Sequence, residues 1–190
     1  MLPLAKSALE ANPAYAIAAD FCRIFAEDMK ALYLLSFLLT ADREKAERCF
    51  VSGLGDCIDS NRVFADWARS WARRTIVQNA IRTVEPLPLF FGERAPYRTA
   101  KDVIFANDDV PLAAVLSLRP FDRFVFVMSV LERYPDQECR ALLRCSQQDI
   151  LAARHRALAL VGAYAERSAP ASAFDAGELA RPEASLAKSA

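Results

Sequence analysis

The chain has 190 residues, 54% of them hydrophobic and 25% charged, with 24 Lys and Arg set against 24 Asp and Glu for a formal net charge of zero. So apolar a composition, with only 5 Gly, excludes a disordered chain and suffices for one domain or two small ones. The zero balance also excludes a protein held on nucleic acid by bulk positive charge, so any phosphate-binding surface must be local.

Residues 1–20 are Ala-rich but carry Lys6, Glu10 and Pro13, unlike a secretory leader. A first helix is predicted over 21–39, where Phe21, Ile24, Phe25, Met29, Leu32, Leu35 and Leu39 recur at helical spacing. Its longest apolar run, from Ala31 to Leu39, is too short for a hydrocarbon layer of about 30 Å at about 1.5 Å per residue. A polar break at 40–42 precedes a second helix over 42–58, whose buried stripe is Ala46, Cys49, Phe50, Gly53, Leu54, Cys57 and Ile58. After Asp59, Ser60 and Asn61, a third helix is predicted over 62–84.

From 85 to 111 the helical pattern fails, because Pro86, Pro88, Gly92, Pro96, Asn107, Asp108, Asp109 and Pro111 follow one another closely. This reads as a linker whose apolar residues Phe90, Phe91, Ile104 and Phe105 dock on a neighbouring surface. A second helical block begins near 117, with Pro120 suited to a first turn and Phe121, Phe124, Val125, Met128 and Leu131 on one face. From about 165 the chain is mostly Ala, Ser, Pro and scattered charge. The expected architecture is all-α: a three-helix module over 14–85, a Pro-containing linker over 86–115, a second module over 116–165 and a flexible tail over 166–190.

Residues 134–161 carry the most information. Pro135 opens a short helix with Cys139, Leu142 and Leu143 inward, and Ser146 followed by Asp149 is a capping-box start for the next. That helix turns Ile150, Ala153, Ala157 and Val161 inward and Gln148, Leu151, Ala152 and His155 outward, with Arg154 and Arg156 on the flanks. Short helix, tight turn and longer helix is the helix-turn-helix plan; a plain helical hairpin has the same pattern. Gln148 could bond an adenine edge, Leu151 touch a thymine methyl, and the arginines hold phosphate or guanine.

The run from Leu118 to Leu158 resembles region four of bacterial sigma factors of the extracytoplasmic-function group. Arg123, Val125, Phe126, Leu131, Glu132, Leu143, Ser146, Ile150 and Arg156 fall on the family pattern. More loosely, the run from Leu38 to Glu47 resembles the start of the family's region-two helix. Phe64, Trp67, Trp71, Arg73, Arg74, Ile81 and Arg82 look like the helix that follows it. Both blocks stand in the family's order, and a chance helix-turn-helix would not bring the second with it.

The resemblance implies a non-catalytic transcription protein, without a cofactor, whose partners are core RNA polymerase and promoter DNA, with an anti-sigma protein as a candidate third. It assigns the upstream promoter element to Gln147, Gln148, Leu151, Arg154, His155 and Arg156. The downstream element falls to Arg62, Trp67, Arg69, Trp71, Arg73 and Arg74, arginines on phosphate and an exposed aromatic on an unpaired base. At least one Trp is expected to serve burial instead. The polymerase contact falls to Glu47, Arg48 and Val51. The acidic and amide run usual there in the family is replaced by Arg48, Cys49, Phe50, Val51 and Ser52, which alters charge complementarity. Arg144 stands where the family has Gly before the turn.

No nucleophile elbow, zinc-protease or P-loop pattern is present, and His155 is the only histidine. Cys49 and Cys57, two turns apart on an apolar face, read as small core residues rather than metal ligands. Five cysteines without a CxxC pair fit reduced thiols and a cytoplasmic setting.

Overall fold

A computed structural model describes residues 14–59, 63–88 and 110–168, and these form eight α-helices with no strand beyond a single bridge between Tyr15 and Phe64. None of these helices is long and apolar enough to cross a membrane.

The segment expected as one helix over 21–39 folds as two, α1 (Ala18–Glu27) and α2 (Met29–Thr40), bent at Asp28 (φ −98°, ψ 15°). Phe25 and Leu32 remain seven residues apart and buried across the bend, so apolar spacing could not register it. Met29, assigned to the stripe, is exposed. Ser36 and Thr40, buried in α2, donate to the carbonyls four residues back, Leu32 at 3.0 Å and Ser36 at 2.9 Å, and so cost the helix nothing in unmet hydrogen bonds.

The next helix, α3 (Arg43–Ile58), starts where expected, because the Asp42 carboxylate accepts the Lys45 N–H at 2.9 Å. It lies close against α4 (Ala68–Val84), which follows a 3₁₀ turn over Ala65–Trp67. Gly53 permits this approach: a Cβ there would stand 2.6 Å from Ile76 Cδ1. Small residues on α4, Ala68, Ala72 and Ala80, flank the contact and are buried. The first half is thus a four-helix group, not the expected three.

The second half holds α5 (Val110–Ser117), α6 (Pro120–Phe126), α7 (Asp136–Leu143) and α8 (Gln147–Ser168). The end of the expected linker, 110–115, is therefore helical, and Ala114, Val115 and Leu116 are buried. The breakers Pro86 and Pro88 lie outside helices, but Pro111 sits in the first turn of α5, where its missing N–H is harmless. Phe90, Phe91, Ile104 and Phe105 fall outside the described residues. Pro120 opens α6, and every residue from Phe121 to Met128 is buried, so this segment is enclosed all round rather than on one face. It continues into a π-helical turn over Val127–Leu131, and Leu131 is exposed.

One apolar cluster joins both halves, from Phe21 and Leu32 through Ile76 and Phe124 to Ile150 and Ala157. At its centre Arg123 of α6, 4% exposed, closes the C-terminal ends of two other helices. Its guanidinium donates to Leu39 (3.1 Å) and Thr40 (3.4 Å) at the end of α2, and to Leu118 (2.9 Å) just beyond α5. The last carbonyls of a helix lack partners within it and carry the negative end of its dipole, so a buried cation is well placed at the end of α2.

Candidate nucleic-acid interface

The turn between α7 and α8 is built as its sequence implies. Arg144 adopts the left-handed conformation (φ 50°, ψ 49°) that ends α7, although it has a side chain where Gly would be easier. Ser146 then caps α8 reciprocally: its hydroxyl accepts the Asp149 N–H at 3.2 Å, and the Asp149 carboxylate accepts the Ser146 N–H at 2.9 Å and hydroxyl at 2.6 Å. These bonds hold the Asp149 carboxyl below its ordinary pKa, the Ser146 hydroxyl contributing most. Ile150, Ala153 and Ala157 face inward at 0% exposure, and Val161 is half-buried.

The outward side of α8 presents Gln147, Gln148, Leu151 and His155 to solvent, with Leu151 49% exposed. The two flanking arginines are half-buried and engaged inside the protein. Arg154 donates to the Ser129 hydroxyl at 3.1 Å and pairs with Asp136 of α7. Arg156 pairs with the fully buried Asp122 of α6, at 2.6 and 3.2 Å.

On α4 the arginines are engaged as well. Arg69 pairs with both Glu27 and Asp28 at the α1–α2 bend. Arg73 reaches Glu132 across the seam between the halves at 2.7 Å, and Arg74 pairs with Glu138 of α7. Arg62 lies outside the described residues. The two tryptophans divide: Trp71 is half-buried against the core, while Trp67 is 64% exposed and packs edge-on to Phe64 with ring centroids 5.3 Å apart. Phe64 in turn stacks on Tyr15 at 4.8 Å.

The residues assigned to polymerase lie apart, on the exposed side of α3. Glu47 and Arg48 are open to solvent, Val51 is 63% exposed, and Arg48 approaches Glu44 at 3.9 Å.

Comparison with protein-family models, with curated proteins and with solved structures found no match to this chain.

Cys49, Cys57 and Cys139 are buried, and burial pushes their thiols up, Cys139 to about 11, which keeps them protonated at neutral pH. No group of three or more His, Cys, Asp or Glu among the described residues could hold a metal ion. The acids that hold the arginines, Asp122, Glu132, Asp136 and Glu138, were not legible as site residues. Most of their partners lie tens of residues away along the chain, beyond the reach of local spacing.

Proposed function

We propose that the chain is a sigma-factor-like transcription protein that associates with core RNA polymerase and reads promoter DNA, with α7, its turn and α8 addressing the upstream element. The observation that carries this reading is the outward face of α8. Gln147, Gln148, Leu151 and His155 stand exposed behind a reciprocally capped turn, and no ion pair ties them to the other described residues. An amide and an apolar side chain one helical turn apart suit an adenine edge and a neighbouring thymine methyl.

In this reading the start of α4 addresses the downstream element, with Trp67 exposed for stacking on an unpaired base and Arg69, Arg73 and Arg74 meeting phosphate. Those arginines must first exchange carboxylates for phosphates, which requires the seam at Arg73 and Glu132 to open. The free protein is thus a closed form, and polymerase, docking on Glu47, Arg48 and Val51 of α3, supplies the energy that opens it.

A second reading has one observation in its favour: all five described arginines assigned to DNA are paired with acids of the same chain. On that reading the fold serves as a regulatory or protein-interaction module without promoter activity. Transcription from promoter DNA by purified core polymerase, with and without the chain, separates the two. Promoter-dependent transcripts and a polymerase complex on gel filtration support the first reading. A chain that binds no polymerase sinks it.

A further inference from the structure

A cleft of about 600 Å³ lies on the seam, between the start of α4 and the segment that leads from the π-helical turn into α7. Its volume is in the range of small-molecule sites, roughly 300 to 1,000 Å³. The walls combine flat apolar surface with charge: Phe64, Trp67, Trp71 and Tyr134 on one hand, three arginines and two glutamates on the other. Arg73 and Arg74 are matched by Glu132 and Glu138, so their charges cancel. Arg133 is different. It is exposed, it forms no ion pair among the described residues, and its backbone is held in the left-handed conformation (φ 58°) at the cleft's edge. Among the described residues of its lining, the cleft therefore carries one unmatched positive charge beside an exposed indole. The buried Trp71 N–H also lacks an acceptor, so a donor with nothing to bond belongs to one of the lining residues.

We infer that this cleft binds a small planar aromatic molecule bearing one anionic group, its ring against Trp67 and its anion on Arg133. Ring stacking on an exposed indole and a guanidinium paired with an anion are each favourable where water is partly excluded. Tyr134, its phenol pushed up to about 12 mainly by burial, stays neutral and adds no competing negative charge. Because Trp67 belongs to the first half and Arg133 to the second, an occupant bridges the seam and stabilises the closed form by mass action. The site goes beyond promoter reading and does not depend on it.

Trp67 and Trp71 are the only tryptophans of the chain, so intrinsic fluorescence excited at the red edge reports on this cleft alone. The intact protein is titrated with adenosine 5′-monophosphate and with 4-hydroxybenzoate, which present the same chemistry as a phosphate or as a carboxylate. Uncharged adenosine and phenol serve as references. A saturable change with either anion, at least about tenfold tighter than its uncharged reference and accompanied by a raised melting temperature, is the expected result. Which anion saturates identifies the source of the charge. Arg133→Gln brings the anion down to the level of its reference, and Arg133→Lys restores much of the difference. The inference is overturned if neither anion saturates, if the uncharged references bind equally well, or if Arg133→Gln leaves affinity unchanged while Arg133→Lys does the same. It is equally overturned if only a single-stranded oligonucleotide perturbs the fluorescence.

Discussion

On the outward side of α8, Gln147, Gln148, Leu151 and His155 meet solvent with no ion pair among the described residues, whereas on α4 Arg69, Arg73 and Arg74 are each held by carboxylates from outside that helix. The first surface is open and neutral; the second is basic and closed. Neutral side chains can discriminate between base pairs but do not anchor a protein to the phosphate backbone. Anchoring needs free cations, and here they are spent on joining α1, α4, α7 and the π-helical turn. The zero net charge of the chain thus has a structural counterpart at this surface: the positive charge of Arg69, Arg73 and Arg74 is matched by acids of the same chain.

The largest effect should come from the residue that locks the two halves together. Arg123→Ala strips the donors from the carbonyls of Leu39 and Leu118 and opens a gap in a fully enclosed helix. A loss of about 3 to 5 kcal/mol is expected, read from the urea midpoint. Asp122→Ala should cost less, because the Arg156 side chain is 37% exposed and can turn toward water when its partner is removed. An Arg123→Ala midpoint close to that of the unaltered protein would mean that the halves do not depend on this clasp.

Next in size is the open surface. Gln148→Ala should lower discrimination at a single base pair by about 1 to 3 kcal/mol, measured by competition between duplexes that differ at that position. The salt dependence of binding should stay as it was, since no phosphate contact is lost. Uniform weakening on all duplexes would place Gln148 on the backbone instead and remove its claim to specificity.

The closed surface predicts the opposite behaviour. Replacing Glu132 and Glu138 together by Gln releases Arg73 and Arg74, which should steepen the dependence of log K on log salt by about 0.9 for each freed cation. Affinity for any duplex should then rise by about tenfold at the low-salt end of the range, without a change in base preference. Stability should fall by less than about 1 kcal/mol per pair, because both arginines are partly exposed. An unchanged slope would show that these cations cannot reach phosphate even when free.

Local periodicity made much of the fold legible. The 42–58 helix, the Pro120 start and the Ser146–Asp149 turn all rest on contacts within about four residues, and each stands where the spacing places it. What was not legible rests on contacts far apart in sequence. The bend at Asp28 keeps the apolar stripe in phase, and α5 has only eight residues in a segment rich in breakers. Arg123 matched the family pattern, but nothing in its neighbourhood revealed that it would reach α2, 83 and 84 residues earlier. The candidate site divides the same way: the outward residues of α8 follow from helical geometry, while the acids that neutralise the arginines depend on how the halves meet.

The smallest expected effect concerns the turn that aims α8. Ser146→Ala removes the hydroxyl that both accepts from Asp149 N–H and donates to its carboxylate, and caps of this kind contribute about 1 kcal/mol. The Asp149 pKa is depressed in the folded protein by those bonds, so their contribution is complete above the unfolded value of about 3.9 and fades as pH falls through the lower folded value. The difference in stability between Ser146→Ala and the unaltered protein should therefore be full at pH 7 and narrow below about pH 4, as the carboxylate takes up its proton. Denaturant titrations at pH 7 and near pH 3 measure it. A difference that is the same at both values would mean that the hydroxyl acts on the backbone alone. The orientation of Gln147 and Gln148 would then rest on the left-handed Arg144 rather than on the Ser146–Asp149 pair.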